Sequence, residues 1–389
     1  MSTHSTVTVS PRGERRIRSG HPWIYRADVV DVHAAAGDVV TVAGPRQRTL
    51  GQAFFSDRSQ ITLRMVTHGQ AVADLALWRS RLERAVRFRE SLRLDANAFR
   101  LVHAEADLIP SLIVDRYGEY LVVQALSQAT NRLLPDFTRL LVELTSPLGI
   151  LARNDPRVRE LEGLERRVDV LYGAVPESIL AREGLIEYDV DVYAGQKTGL
   201  FLDQRENREA AARYARGRLL DAFSYNGGFA LRLAEHCDRA EAVDSSRDAV
   251  DRIRTNAIRN GLSHVEAREA NVFDELRRLE KAQERYDTIV LDPPAFAKNK
   301  ASVPGALAGY KEINLRAMRL LPPGGILVTC TCSYHVSEAM FEDVLHAASV
   351  DSHTPVAVVE KRMQGRDHPV LLGVPETYYL KCVILRRVE

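Results

Sequence analysis

The chain has 389 residues, 45% of them hydrophobic and 27% charged, with 53 basic against 52 acidic side chains and a formal charge of +1. This is a soluble globular composition with length for two or three cores; no apolar run approaches the roughly 18 residues of a membrane helix, and MSTHSTVTVSPRGERR lacks the apolar stretch of a secretory signal, so a cytoplasmic location is expected. The four cysteines, Cys237, Cys330, Cys332 and Cys382, form no CxxC pair and have no histidine at ligand spacing, which argues against a zinc site and a disulfide framework.

From Thr6 to about Thr67 short β-rich runs alternate with turns: VTV, PRG, HPWIYRADVVDV, GDVVTV, LGQAFFSD and ITLRMVT. That spacing predicts a small β-barrel over residues 1–70. Nine arginines stand against five acids there, a surplus that permits RNA contact although a solvated face explains it as well. Trp23 and Tyr25 have the chemistry to stack on bases, yet such a pair in a small barrel is more often core.

A second unit is expected over 73–181. Leu75, Leu82, Val86 and Leu92 recur at helical spacing from Ala73 to Leu94, and strand-like FRLVHAE, LIPSLIVDRYGEYLVVQAL and GILARND follow, with a helix near Leu133 to Leu144. The apolar runs flanking Tyr117-Gly118-Glu119 predict a hairpin. The pattern is strand-strand-helix-strand, an α+β unit.

Beyond residue 182 the chain alternates strand and helix. Strands are expected at Arg218–Ala222, Ala240–Val243, Val265–Glu269, Tyr286–Leu291 and Gly325–Thr331, with helices at Phe229–Glu235, Arg247–Asn260, Phe273–Glu284 and Tyr310–Leu320. Such βα alternation predicts a doubly wound parallel sheet, whose ligands bind where the strands end.

Those ends carry chemistry. The first runs into Phe223-Ser224-Tyr225-Asn226-Gly227-Gly228, where glycine lets a ligand approach the backbone, although a tight packing turn explains it about as well. The second ends at Asp244, whose carboxylate can accept from both hydroxyls of a ribose; a helix N-terminal acid would also stand here. Asn271 ends the third, placed for an adenine edge or for an Asx turn. After the fourth come Asp292-Pro293-Pro294-Ala295-Phe296, a rigid loop able to aim a carboxylate at a planar base. The fifth ends in Thr331-Cys332-Ser333-Tyr334-His335, with Cys332 farther toward the substrate edge than Cys330, which reads as an apolar filler.

DAFSYNGGFAL, AVDSS, LDPPAFAK, GYKEIN and TCSYH, preceded by GQKTGLFLDQRENR, resemble the RlmI-like family of bacterial 23S rRNA (cytosine-C5)-methyltransferases, which use S-adenosylmethionine. HPWIYRADV is similar to that family's N-terminal PUA barrel, LVHAEADLIPSLIVDRY to its central domain, and DHPV with PETYYLK to its C-terminus. The resemblance implies a Rossmann-like class I methyltransferase domain over 182–389 behind a PUA-like barrel and a central α+β domain. It implies that Phe223, Ser224, Tyr225 and Gly227 surround the methionine end of the cofactor, that Asp244 and Ser245 hold the ribose and Asn271 the adenine amino group, and that Gln196, Asp203, Arg205 and Asp292 complete the site. Many family members have aspartate at the Asn271 position.

Cytosine C5 is too weak a nucleophile to take a methyl group unaided. A thiolate adding to C6 makes it one, and Cys332 is the thiol this sequence offers. Asp292 is suited to hydrogen-bond or protonate N3, with Pro293, Pro294 and Phe296 holding the base. The loop lacks the second cysteine of some RNA cytosine methyltransferases, so His335 or water becomes the candidate base for the C5 proton. The implied partner is 23S rRNA, naked or partly assembled, since the base must leave its stack; no membrane is expected, and a homodimer is a further candidate assembly. Methylation of an exocyclic nitrogen on rRNA adenine or guanine, and a non-catalytic role in ribosome assembly, are the competing readings.

Overall fold

The computed structural model describes residues 5–389. It comprises two compact units. One contains the chain up to Ala181 with Val190–Leu200 and Arg366–Thr377; the other contains Arg182–Asp189, Phe201–Gly365 and Tyr378–Glu389.

In the first unit, a six-stranded sheet is built from Thr6–Val9, Trp23–Tyr25, Val29–His33, Val39–Ala43, Thr49–Phe55 and Ile61–Met65. Alternation drives it: Val7, Val9, Ile24, Val40, Val42 and Leu63 turn inward and are fully buried. Two sequence expectations need correction here. PRG is not a turn, because Ser10 accepts from Gly13 N and caps a helix, Pro11–Arg18, in which Pro11 occupies the first turn where its missing N–H is harmless. HPWIYRADVVDV is not one strand either: a 3₁₀ turn at Arg26–Asp28 divides it, and the halves form opposite edges of the sheet.

A five-stranded sheet follows in the same unit, ordered Arg167–Gly173, Gly149–Asn154, Tyr120–Ala125, Leu112–Tyr117, Ala98–His103. The Tyr117↔Tyr120 pairing closes the expected hairpin around Gly118, whose φ of 57° suits glycine. Helix Leu75–Ser91 buries Trp78 against Phe54 and Phe137. The Arg167–Gly173 strand was not expected from the sequence. Beneath the sheet Arg100 pairs with Asp115, which also accepts from Thr198 Oγ1 at 2.6 Å; a buried ion pair this closely hydrogen-bonded specifies geometry more than it adds stability.

The second unit is a seven-stranded sheet. Its strands are β1 (Arg218–Ala222), β2 (Arg239–Asp244), β3 (Val265–Glu269), β4 (Thr288–Leu291), β5 (Ile326–Thr331), β6 (Val356–Arg362) and β7 (Lys381–Arg387), ordered β3-β2-β1-β4-β5-β7-β6. The first five are parallel; β7 runs antiparallel to both β5 and β6. The alternation identifies the five parallel strands, whereas β6 and β7 follow a long irregular stretch and carry no such signal. Apolar residues cover both faces of the sheet, Ile289, Ile313, Met318 and Phe341 on one and Leu219, Phe229, Val328 and Ile384 on the other. The strand order reverses between β1 and β4, and the crevice outside such a reversal is where open α/β sheets bind ligands.

One helix begins earlier than expected. It runs Val303–Leu320 and not from Tyr310, because Pro304 fits its first turn and Gly309 leaves room for the Phe296 ring, which a Cβ would approach to 3.3 Å. Glycine reads locally as a helix breaker; here it permits packing.

Candidate active site

The site assembles at the carboxyl ends of β1, β2, β4 and β5. β1 is in register with β4, Ala222 opposite Leu291, so the chain leaves both strands side by side. One exit is the glycine turn. Phe223, Tyr225 and Gly227 all have positive φ, at 64°, 50° and 83°. Two non-glycine residues in that region cost on the order of 1–3 kcal/mol each, and such strain concentrates at ligand clamps. The turn is held from both sides: Ser224 N donates to Val243 O at 3.1 Å, and Tyr225 N to Asp244 Oδ2 at 2.9 Å.

Asp244 is half-buried at the end of β2. Its other oxygen accepts from Ser246 N at 2.9 Å, so two of about four acceptor positions are taken and the others can receive hydroxyls. Ser245 is exposed beside it, and Ser246 caps helix Arg247–Arg259.

Behind the turn lies a residue that the sequence reading passed over. Asp221 is buried; its Oδ2 accepts from Ser224 Oγ at 2.5 Å and Ala230 N at 2.8 Å, while Oδ1 is a buried acceptor with no hydrogen-bond donor in the protein. Burial pushes its carboxyl up to about 7, with the charges of Asp292 and Asp244 adding to the shift and the two hydrogen bonds opposing it. An acceptor left over in this way suits a cationic amine, which is what the amino-acid end of S-adenosylmethionine carries.

Asn271 caps the helix that follows β3. Its side-chain oxygen already receives Phe273 N at 3.0 Å and Asp274 N at 3.3 Å, capping helix Val272–Lys281. The Asx turn that the sequence allowed at this position is therefore formed.

After β4, Asp292 is half-buried, Pro293 buried and Pro294 exposed. Gln204 Nε2 donates to Asp292 Oδ1 at 2.8 Å, and Asn207 Nδ2 to Gln204 Oε1 at 2.6 Å. Neither Gln204 nor Asn207 was singled out from the sequence, although both sit in the DQREN run that also supplies Asp203 and Arg205. Asp203 is buried, accepting from Tyr379 Oη at 2.8 Å, and Arg205 is buried close by in sequence. Gln196 is exposed and belongs to the first unit.

Phe296 points into an aromatic cluster with Phe273, Phe223 and Tyr310, its ring centroid 4.6 Å from that of Tyr310. This packing anchors the loop that carries Pro293 and Pro294. Tyr225 meets Phe201 edge-on at 5.2 Å.

The β5 end completes the site. Cys332 is half-buried with Sγ 3.9 Å from the Pro293 carbonyl oxygen, so the thiol lies against the Asp292-Pro293-Pro294 loop. Cys330 is fully buried opposite Cys382, and burial together with that second thiol pushes its own thiol well above the usual cysteine value. Cys237 is pushed up to about 12, also by burial. His335 stands half-buried against Tyr334. In the other unit Trp23 and Tyr25 are half-buried and engaged, Trp23 Nε1 donating to Glu105 at 3.0 Å and Tyr25 lying under Arg16. Among the described residues no cluster of metal-ligating side chains occurs and no helix is long and apolar enough to cross a membrane.

A doubly wound sheet ending in a strained glycine turn, a ribose-ready acid and an acid-Pro-Pro loop defines an S-adenosylmethionine-dependent methyltransferase. Residues 131–370 match the family model of that description, and residues 7–68 match that of a PUA-like domain. Proteins called ribosomal RNA large subunit methyltransferase I, from Tolumonas auensis and Shewanella denitrificans, are each 38% identical to this chain, over 100% and 98% of both partners respectively. The chain belongs to the ribosomal RNA large subunit methyltransferase I family. Two solved methyltransferases, one complexed with S-adenosylhomocysteine and one from Streptococcus mutans, share its fold with TM-scores of 0.85 and 0.83 at 19% and 18% identity, each pairing 98% of this chain with 99% of theirs.

Proposed function

We propose that the protein methylates C5 of a cytosine in 23S rRNA, with Cys332 as the covalent nucleophile. The observation that carries this is the thiol lying against the loop after β4, 3.9 Å from the Pro293 carbonyl, while Cys330 and Cys382 are buried and burial pushes the Cys237 thiol up. The cofactor supplies an electrophilic methyl group. Asp244 would hold its ribose, the Phe223–Gly227 turn and Asp221 its amino-acid end, and the Asn271 amide an adenine ring nitrogen. Gln196, Asp203, Arg205 and Ser245 remain part of this proposal, as do the divisions near residues 70 and 181.

Cys332, as thiolate, adds to C6 and forms the S–C6 bond, and the C5=C6 electron pair moves through the ring toward N3. Asp292, its rotamer fixed by Gln204, faces that developing charge and carries the proton exchanged there. Once C5 has taken the methyl group, loss of the C5 proton to His335 or water expels the thiolate and restores the aromatic ring. Pro293 and Pro294 hold the base edge rigidly, so little ordering is required at the moment of reaction. The substrate is proposed to be naked or partly assembled large-subunit RNA. The test is mass mapping of 5-methylcytidine in 23S rRNA from a deletion strain, complemented with wild type or Cys332→Ala. Methylation of an exocyclic nitrogen needs no thiol and would survive that substitution.

A further inference from the structure

Lys381 opens β7 directly opposite Thr331, the last residue of β5 and the one before Cys332. It is 3% exposed, an unusual condition for lysine without a compensating charge. Its Nζ donates to Tyr379 O at 3.4 Å and lies 5.2 Å from the centre of the Tyr378 ring, so the ammonium is held in place from its own strand's approach. The other groups around this spot come from four elements, one of them β6, whose Lys361 pairs with Glu338 at 3.6 Å and also with Glu342. Cys332 follows β5; Glu338, at the start of helix Glu338–Ser352, accepts from Tyr378 Oη at 3.1 Å; and Tyr310, on helix Val303–Leu320, bonds Thr331 and Ser333 and experiences the charge of Cys332.

Burial pulls the Lys381 ammonium below the ordinary lysine value, and the negative charges of Cys332 and Glu338 push it back up. Coulomb attraction is reciprocal, so whatever a Cys332 thiolate does for the ammonium, the ammonium does for the thiolate. Thiols beside lysine are activated in this way.

We propose that Lys381 is the positioning residue that arms Cys332: its buried ammonium, fixed by Tyr379 and Tyr378, holds the neighbouring sulfur as thiolate. This rests on Cys332 being the nucleophile. In the step concerned the S–H bond breaks, the proton passes to solvent water, and the electron pair stays on sulfur, where it later forms the bond to C6. The ammonium keeps its own protons throughout. The arrangement also separates the two cysteines at this strand end: Cys330 faces Cys382, whereas the residue before Cys332 faces Lys381.

The test reads the thiol and not turnover. Full-length protein is alkylated with iodoacetamide across pH, and the Cys332 peptide is followed by mass spectrometry. Lys381→Met should move the midpoint of the alkylation profile up by about one pH unit and slow alkylation at pH 7 about tenfold, with Lys381→Arg close to wild type and S-adenosylhomocysteine binding unchanged. Glu338→Gln removes the competing carboxylate and should move the midpoint down, which decides the matter should the Met variant not fold. An unmoved midpoint in Lys381→Met, or in Glu338→Gln where that variant stands alone, overturns the proposal. Cys332→Ala tests the nucleophile separately: if it still methylates RNA, the catalytic reading fails whatever the alkylation profile shows.

Discussion

Gln204 donates its side-chain amide to Asp292 Oδ1 at 2.8 Å, tying the run before helix Arg205–Ala212 to the loop after β4. Gln204 is 1% exposed, and Asn207 fixes its orientation. A hydrogen bond to a charged group is worth about 1.5–3 kcal/mol, so Gln204→Leu should lower kcat roughly ten- to a hundredfold. S-adenosylhomocysteine affinity should change far less. Steady-state methylation of an rRNA fragment beside calorimetry separates the two; a kcat equal to wild type would mean that Asp292 needs no such support.

Asp244→Ala removes the acceptor at the end of β2 and also releases Tyr225 N from its bond. Loss of one charge-assisted interaction of about 1.5–3 kcal/mol predicts a dissociation constant for S-adenosylhomocysteine raised roughly ten- to a hundredfold. Calorimetry showing the wild-type constant would take Asp244 out of the cofactor site.

Asp221 makes stability depend on pH in an identifiable window. Its carboxyl ordinarily titrates at 3.8 and in the fold at about 7, so between those values the native chain holds a proton that the unfolded chain releases. Stability should therefore fall as pH rises through that window, with a contribution approaching about 1.4 kcal/mol per unit. Asp221→Asn should flatten this slope in urea titrations from pH 4 to 7 and, by removing a carboxyl that can ionise against a cationic amine, weaken cofactor binding. An unchanged slope would assign the neutral-pH behaviour to other groups.

The parallel sheet was legible because its central strands are short apolar runs closed by a turn or loop, as with Thr288–Leu291 and Ile326–Thr331, and its helices carry caps, as with Ser246. The placement of Asp244, Asp292 and Cys332 at strand ends was legible for the same reason, since they stand where periodicity stops. What stayed hidden depends on contacts between segments distant in sequence. Asp221 reads as one more strand residue until burial and the missing donor on Oδ1 are seen. Gln204 is one polar residue in a polar run until it meets Asp292, 88 residues away. Lys381 belongs to an antiparallel strand that no βα pattern announces, and only the register brings it opposite Thr331, the residue before Cys332. Asn271 shows the opposite case, a local cap that the sequence already suggested as an Asx turn.

The most direct test of Cys332 as nucleophile is trapping on RNA that carries 5-fluorocytidine at the target. Thiolate addition and methyl transfer can proceed, but fluorine cannot leave as a proton does, so elimination stalls and the protein stays attached. With S-adenosylmethionine present, wild type should give a band of protein plus RNA on denaturing gels, Cys330→Ala the same band with at most some lost stability, and Cys332→Ala neither band nor turnover. Cytosine methylation by a wild type that never forms the band, or a band that survives Cys332→Ala, would contradict the account.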